Sequence, residues 1–566
     1  MMQASRLELQ GKRKSNDGRA PARDGDMGAS GRCRIGAAWP FGLLLGALAL
    51  LTTGCYLYKP GPRYRTPEVP LAPQWRDAAD KRLAGQPPAP AEWWKTFQDP
   101  VLDSLVQKAF KQNLTVQAAV MRLVQARARS RAALLLDPPI LPLITLNASA
   151  VHSHFSRNVK PDVTISKKPG DLPPILAGKV PKVVMADHID VYGGSADAVL
   201  PLDAWGQVPL AIEGTGADEE ATVALLDDVL VALVSDVAMT YIEIRTLAQR
   251  LDATRGNIAE QEKILKTAQD RSKKGEPSEV DAQLALTLLR SSQSRIPALE
   301  AVLRRTENRL SVLLGEHPGD LRATLGGSKA IPVAPADVAM GIPADLLRRR
   351  PDVRRAERTA ATECARLRLD KTKLFPVFAL IGSVGAKSSD SSTLFDSGSG
   401  TSLFGMAATW SYLVYPLLIQ AIRVQDARFQ EVIANYKDTV LSACRDVEDA
   451  ATTYLKAHEQ VPLRTESAEA SKRALEVAMS QYEKGGMAFS EILQAAVYRM
   501  AEEDAAIEAR GAVPASLVAT YRALGGGWEI RRGQNLVPDD VRREMRRRTD
   551  WWSFWGLDIL STKSVK

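Results

Sequence analysis

Few side chains in this sequence stand at spacings that could make or break bonds. It has no Gly-x-Ser-x-Gly turn, no phosphate loop and no His-Glu-x-x-His pair, and its five histidines lie scattered at His152, His154, His188, His317 and His458. His152 and His154 share one strand face, and a hairpin would bring His188 across from them. A polar strand end is the ordinary reading of such a group, so no metal, no catalytic residue and no enzyme are expected. The one stretch whose order implies covalent chemistry starts at Arg32 and Arg34, continues through the apolar run Trp39 to Leu51, and ends in Thr52, Thr53, Gly54 and Cys55. A charged region, an apolar core shorter than a bilayer span and small residues at its end make a secretory leader over residues 1–54. Initiation at Met27 would give that leader an ordinary length.

The ending of the leader resembles a bacterial lipobox, although Thr52 occupies the place where the pattern usually has Leu. The resemblance implies cleavage before Cys55 and a covalent lipid on its thiol, the only attached group expected and no other cofactor. Acyl chains stabilise membrane attachment by about 0.8 kcal/mol per buried methylene, so more than one chain makes the anchor durable. Tyr56 follows the cysteine, and among sorted lipoproteins the absence of Asp there implies outer-membrane lipid. Cys364 and Cys444 fall on separate helices and read as buried free thiols, with a disulfide between them the alternative.

Something must position this anchor against a body, and the body is written twice. Val223, Leu226, Leu230, Leu233, Val237, Thr240, Ile244, Leu247 and Leu251 follow at steps of three and four, the seam of a coiled coil. Shifting the numbering by 210 lands on Ile433, Tyr436, Val440, Ala443, Val447, Ala450, Tyr454, Ala457 and Val461, with Gly275 carried onto Gly485 and Leu314-Gly315 onto Leu524-Gly525. The first seam predicts a helix from Asp218 to about Ser272, roughly 80 Å long at 1.5 Å per residue. The net charge of +8 sits largely at the chain ends, including Arg542, Arg543, Arg546, Arg547 and Arg548, which reads as targeting or a solvated face, with no nucleic acid as partner.

Ahead of each seam the period changes to two. Ile144, Leu146, Ala148 and Ala150 alternate with polar residues; Tyr192, Ala196, Ala198, Leu200 and Leu202 form a second apolar face; Phe378, Leu380 and Val384 a third. Phe404, Met406, Ala408, Trp410, Tyr412 and Val414 form the fourth, so Tyr192, Phe378, Phe404, Trp410 and Tyr412 are expected as lipid-facing strand aromatics. Four strands of about ten residues match tilted outer-membrane strands. Four strands also leave two open edges, which lipid does not tolerate, so one chain cannot close the wall and three would make a closed barrel of twelve. The predicted organisation is a leader (1–54), a proline-rich anchored arm (55–99), a first repeat (100–315), a linker (316–340), a second repeat (341–527) and a tail (528–566) that packs on the body or contacts the cell wall or a partner.

Tyr64-Arg65-Thr66-Pro67-Glu68, Trp93-Trp94 with Phe97, Arg350-Pro351-Asp352-Val353, Tyr482 with Gly485, and Ala523-Leu524-Gly525-Gly526-Gly527-Trp528 together resemble the TolC/OprM-like outer-membrane factors of the NodT efflux lipoprotein type. The resemblance implies a fold that is mostly α with transmembrane β. It implies a homotrimer in which an outer-membrane barrel of four strands per protomer continues into a long periplasmic coiled-coil helical tunnel, each chain holding an internal repeat. It further implies a passive gated duct for drugs, toxic small molecules or metals, with a periplasmic adaptor and an inner-membrane RND-type pump as partners. In the family a leucine constriction and an acidic ring close the tip; the matching positions here are Ser490 for the leucine, Gln494 for the aspartate and Val497 for a basic neighbour. Glu491 could supply the acid one helical step away, and the first copy offers Ser278, Glu279 and Asp281. Pro416, Leu417, Leu418 and Ile419 replace the family's Gly-rich turn after Tyr415. The competing reading is a lipid-anchored structural or adhesive envelope protein without a channel, using the polar 156–187 loop as a surface element.

Overall fold

A computed structural model describes residues 61, 63–83, 91–134, 143–154, 188–273, 279–327, 330–335 and 349–549. The leader, Cys55, the 156–187 loop, Gly275, Ser278 and the tail tryptophans Trp551, Trp552 and Trp555 lie outside the described residues.

Helix α1 (Pro100–Gln112) begins where the Asp99 carboxylate accepts the N–H groups of Val101 and Leu102, with Pro100 in the first turn where a missing N–H costs nothing. Asn113 closes α1 and caps α2 (Leu114–Leu134) by accepting from Thr115 and Val116. Strands β1 (Leu143–His154) and β2 (His188–Leu202) follow, then α3 (Gln207–Lys273) and its returning partner α4 (Glu279–Leu313). The order is then taken again by α5 (Pro351–Thr372), β3 (Val377–Ser388), β4 (Gly400–Thr409), α6 (Tyr415–Glu483) and α7 (Phe489–Ala523). Helix α8 (Asp539–Thr549) ends the described chain. The strands form one antiparallel sheet in the order β1-β2-β3-β4, so the middle pairing joins the two halves of the chain.

Helices α3 and α6 hold 67 and 69 residues, about 100 Å each. Helix α3 starts eleven residues before the expected Asp218. Asp203 accepts from the N–H groups of Gln207 and Val208, and Gly206 supplies the positive φ of 70° that lets the chain turn off the strand. The heptad signal is faint there because Gly214 and Ala217 give a small-residue surface on which α5 packs closely. Further along, Leu226, Leu230 and Val237 are fully buried. Thr240 joins them because its hydroxyl donates to the Asp236 carbonyl and leaves nothing unpaired.

Strand β4 ends at Thr409, which corrects the expectation of strand through Val414. Trp410 turns its indole N–H back to the Leu374 carbonyl, and residues Tyr412–Val414 form a single 3-10 turn that delivers Pro416 into the first turn of α6. Tyr412 is therefore off the strand, edge-on to Trp410 at 5.5 Å.

The two halves are pinned by matching joints. At the end of α4, Gly315 has φ +75° and its neighbour's N–H bonds back from Glu316 to Ser311; at the end of α7, Gly525 has φ +72° and Gly526 bonds back to Tyr521. Asn113 Nδ2 donates to the Leu313 carbonyl at 2.9 Å, and the carbonyl 210 residues on, that of Ala523, accepts from Arg350 Nη1 at 2.9 Å. The Trp93-Trp94 and Gly-Gly-Gly-Trp motifs meet at the second joint. Trp93 stacks on Tyr521 at 5.2 Å and donates to the Gly526 carbonyl, and a Cβ on Gly527 would stand 3.0 Å from the Trp93 indole nitrogen.

The arm is more than a spacer. Tyr64 and Thr66 bond Glu357, Trp75 and Leu83 are buried in the main core, and Arg82 reaches Asp80 and Glu459, so the segment is strapped along α5 and α6. The tail packs on the body through buried Ile530 and Val537 and through Arg531, which pairs with the fully buried Asp227 beside Arg354. Arg543, Arg546, Arg547 and Arg548 stay exposed. Cys364 and Cys444 are free thiols.

Two measurements check this core. A Cβ at Gly315 would stand 2.4 Å from the Gln112 carbonyl oxygen, whereas one at Gly326, with φ +69°, meets nothing within 4 Å. Gly315→Ala should cost about 2 kcal/mol or more and Gly326→Ala about 1 kcal/mol in denaturant unfolding of the detergent-solubilised protein. Tyr241 donates to Asp99 Oδ2 at 2.7 Å, and burial followed by this bond pushes its hydroxyl up to about 12. The native state thus holds a proton that the unfolded chain releases near the ordinary value of 10, so this contribution is complete below that pH and is lost as pH rises toward 12. Tyr241→Phe should cost about 1–2 kcal/mol at neutral pH and make the alkaline loss of stability shallower.

Candidate functional site

Two regions collect the residues singled out above: the sheet and the tip of the second helical pair. In the sheet the register pairs Leu146 with Ala196, Ala196 with Val384, and Phe378 with Ala408, so even-numbered residues share one face across all four strands. That face is apolar, carrying Ile144, Leu146, Tyr192, Leu200, Phe378, Leu380, Phe404 and Met406. The sheet brings Tyr192, Phe378 and Phe404 onto it, with Trp410 just beyond its end. Phe404 and Trp410 are largely exposed, while Tyr192 and Phe378 are half-buried.

Sequence reasoning missed the rest of an aromatic girdle at the helix end of the sheet. Trp205 stacks on Phe375 at 4.8 Å, lies 6.4 Å from Phe378, and donates to the Pro376 carbonyl at 2.6 Å. Trp and Tyr clustered where strands meet helices were the available signal.

The opposite, odd-numbered face is mixed, with Thr145, Asn147, Ser149, Ser195, Asp197, Ser383, Lys387 and Thr401 set among apolar residues such as Val191, Val199, Ile381 and Leu403, and it is the more polar of the two. At its centre Asp197 accepts hydrogen bonds from Asn147 on β1, Ser195 on β2 and Ser383 on β3. At the far end of the apolar face His152 Nδ1 lies 2.5 Å from Asp190 Oδ1, with the His188 ring 5.8 Å from that of His152. His154 pairs in register with His188, yet no group of three or more ligating side chains able to hold a metal occurs among the described residues.

At the tip α6 stops because Gly485 takes φ +77°, its N–H bonding the Tyr482 carbonyl and that of Gly486 the Gln481 carbonyl. Tyr482 is buried against Phe489 at 5.6 Å, and Arg271 from α3 both lies over its ring at 4.3 Å and donates to its carbonyl at 2.7 Å. Phe489, Ile492 and Ala496 face inward with Ala285 of α4. Ser490, Gln494 and Val497 lie on the opposite side of α7, all exposed. Glu491 and Gln494 line one groove between α6 and α7 with Tyr498 and Glu502, where Glu502 accepts from Arg464 and Ser467. Asp281 stands half-buried in the first turn of α4, on a different element from these four.

A four-stranded sheet with one apolar face feeds the two long helices of the chain. The profile of the outer membrane efflux protein family covers residues 105–316 and 342–526. The chain belongs to the outer membrane efflux protein family. Among relatives of this efflux protein, Nodulation protein T of Rhizobium leguminosarum bv. trifolii is 27% identical over 456 residues, 79% of this chain and 89% of the relative. Toluene efflux pump outer membrane protein TtgC of Pseudomonas putida is 25% identical over 500 residues, 87% of this chain and 96% of the relative. Among solved structures, the outer-membrane channel OprN superposes with a TM-score of 0.74 at 27% identity, covering 83% of this chain and 100% of that one. This efflux protein is thus an outer-membrane channel component of a family that is not one of enzymes. The apolar face of its sheet is the face suited to lipid.

Proposed function

We propose that three copies of this chain close a twelve-stranded barrel and a helical tunnel, forming a passive duct that receives cargo from an inner-membrane pump through a periplasmic adaptor. The lipid on Cys55 would anchor each copy to the membrane, and the arm that follows is strapped along α5 and α6. The observation that carries the reading is a stripe on α6 left uncovered among the described residues: Leu417, Val424, Ala427, Ala434 and Leu441, all exposed and spaced by sevens and threes. The positions 210 earlier on α3 are Gly214, Ala217, Ala224 and Val231, and there α5 covers the surface: a Cβ on Gly214 would stand 3.4 Å from Ala365 Cβ, and Ala217, Ala224 and Val231 are buried. Helix α2 holds the place in the first half that α5 holds in the second. A second copy's α2 is therefore the natural cover for α6, and its exposed Arg122 and Arg129 would meet exposed Glu431 and Asp438 beside the stripe. The same docking brings β1 of one copy to the open edge of β4 of the next.

The tip would be the gate. Its exposed α7 strip offers Ser490, Gln494 and Val497, so the constriction is less apolar than a leucine ring and its acid comes from Glu491 in the adjoining groove. An adhesive role without a channel finds no particular support in an exposed polar sheet face or in this unpartnered stripe.

Val424→Arg should lower the trimer fraction in native mass spectrometry while leaving helical content unchanged; a variant as trimeric as the parent would remove α6 from the contact between copies. Gln494→Asp should change the resting leak or the cation preference of the channel in planar bilayers. Unaltered conductance and ion selectivity would take Gln494 out of the aperture.

A further inference from the structure

Of the described strand residues on the more polar face, Asp197 and Lys387 alone carry charge; the others are the polar Thr145, Asn147, Ser149, Ser195, Ser383 and Thr401 and apolar residues such as Val191, Val199, Ile381 and Leu403. Both charges are built in. Asp197 receives Asn147 Nδ2 at 2.5 Å, Ser383 Oγ at 2.5 Å and Ser195 Oγ at 3.2 Å, donors drawn from all three adjacent strands. Three donors converging on one carboxylate hold it at a single height on the sheet. Lys387 stands four residues beyond Ser383 on β3, about 13 Å farther from the helices. It is opposite Gly193, where a Cβ would meet the lysine Cγ at 3.3 Å. The glycine leaves room for the lysine stem.

We infer that Asp197 and Lys387 are the charge-selectivity determinants of the membrane part of the duct. This rests on the three-copy reading above, in which the polar face lines the lumen. Each residue then becomes a ring of three: carboxylates nearer the helices and ammonium groups nearer the outer end. A water-filled pore with low-dielectric walls focuses such fields, so a fixed ring governs which sign of ion enters its level. Because the rings are equal and opposite, the parent duct discriminates weakly by sign and passes cationic and anionic cargo alike. Removing either ring exposes the preference of the other.

The test is the reversal potential of the purified full-length protein in a planar bilayer under a potassium chloride gradient. Asp197→Asn should shift permeability severalfold toward chloride, and Lys387→Gln severalfold toward potassium. The lysine variant leaves all three hydrogen bonds to Asp197 in place, so it reads selectivity even where the asparagine variant assembles poorly. Conducting variants whose reversal potentials coincide with that of the parent overturn the inference and leave the duct standing. A trimer of the parent protein that never conducts overturns the duct reading and this inference together.

Discussion

The constraint from which the rest follows is the unpaired edge of a small sheet. Among the described residues, strands β1 and β4 are each bonded on one side only, so alternate residues along their 12 and 10 positions turn unpaired polar groups outward. In hydrocarbon each unpaired group costs several kcal/mol, a cost that such a sheet would bear in a membrane unless its edges found partners. The helices echo the same incompleteness. Helix α3 lies between α2 and α5, whereas α6 has α5 on one side and an apolar stripe on the other. Strand edge and helix stripe run out at the same side of the chain, so one contact between copies would satisfy both.

Within a copy, stiffness comes from joints that the two halves build alike with different residues. Asn113 and Arg350 each tie the start of a short helix to the last carbonyl of a returning one, but Arg350 also gathers Asp352 and Asp446. Near it Asp227, with no exposed side-chain surface, is held by Arg354 from α5 and Arg531 from the tail, while Trp528 lies under Arg354, Arg531 and Arg532. Buried ion pairs give little net stability against an apolar replacement, because desolvation offsets most of the attraction. Their value is in geometry: only one placement of the tail lets both guanidinium groups reach one carboxylate.

How much was legible follows from how local each signal is. The seam from Leu226 to Leu251 and the even-numbered strand faces could be read because their periods are set by the backbone alone. The register then keeps even residues with even ones through three pairings. What escaped depended on contacts across the chain. Tyr412 continues the alternation in sequence, yet the Trp410 indole finds the Leu374 carbonyl and ends the strand early. The seam breaks off before Val223, where its backward continuation meets Glu219, Gly216, Ile212 and Pro209, and nearby Gly214 and Ala217 face one short helix at close range. Trp75 and Leu83 sit in an aperiodic, proline-rich arm, so nothing nearby in the sequence announces their burial. At the tip the exposure of Ser490, Gln494 and Val497 follows from helical spacing, but the Arg271–Tyr482 contact joins residues from different copies of the repeat.

That contact helps explain why movement would concentrate at the tip. The main core threads α1, α2, α3, α6 and α7 together with the Trp93-Trp94 pair, and opening it would expose Tyr241, Tyr454 and many leucines at once. The tip has a separate, smaller cluster of Ile264, Ala268, Ala285, Leu475, Ala478, Tyr482, Phe489, Ile492 and Ala496. Four of those nine are alanine, which bury little apolar area, so displacing α7 there sacrifices far less than the same displacement at the core. Arg271 grips Tyr482 through its ring and its carbonyl, and both contacts are lost together if α3 and α6 part at their ends. In the proposed duct a paired contact of this kind would favour two states, closed and open, over a continuum between them. The exposed strip of α7 moves with Phe489 and Ile492 because they share the helix, so a docking partner that separates α3 from α6 would also reposition Gln494.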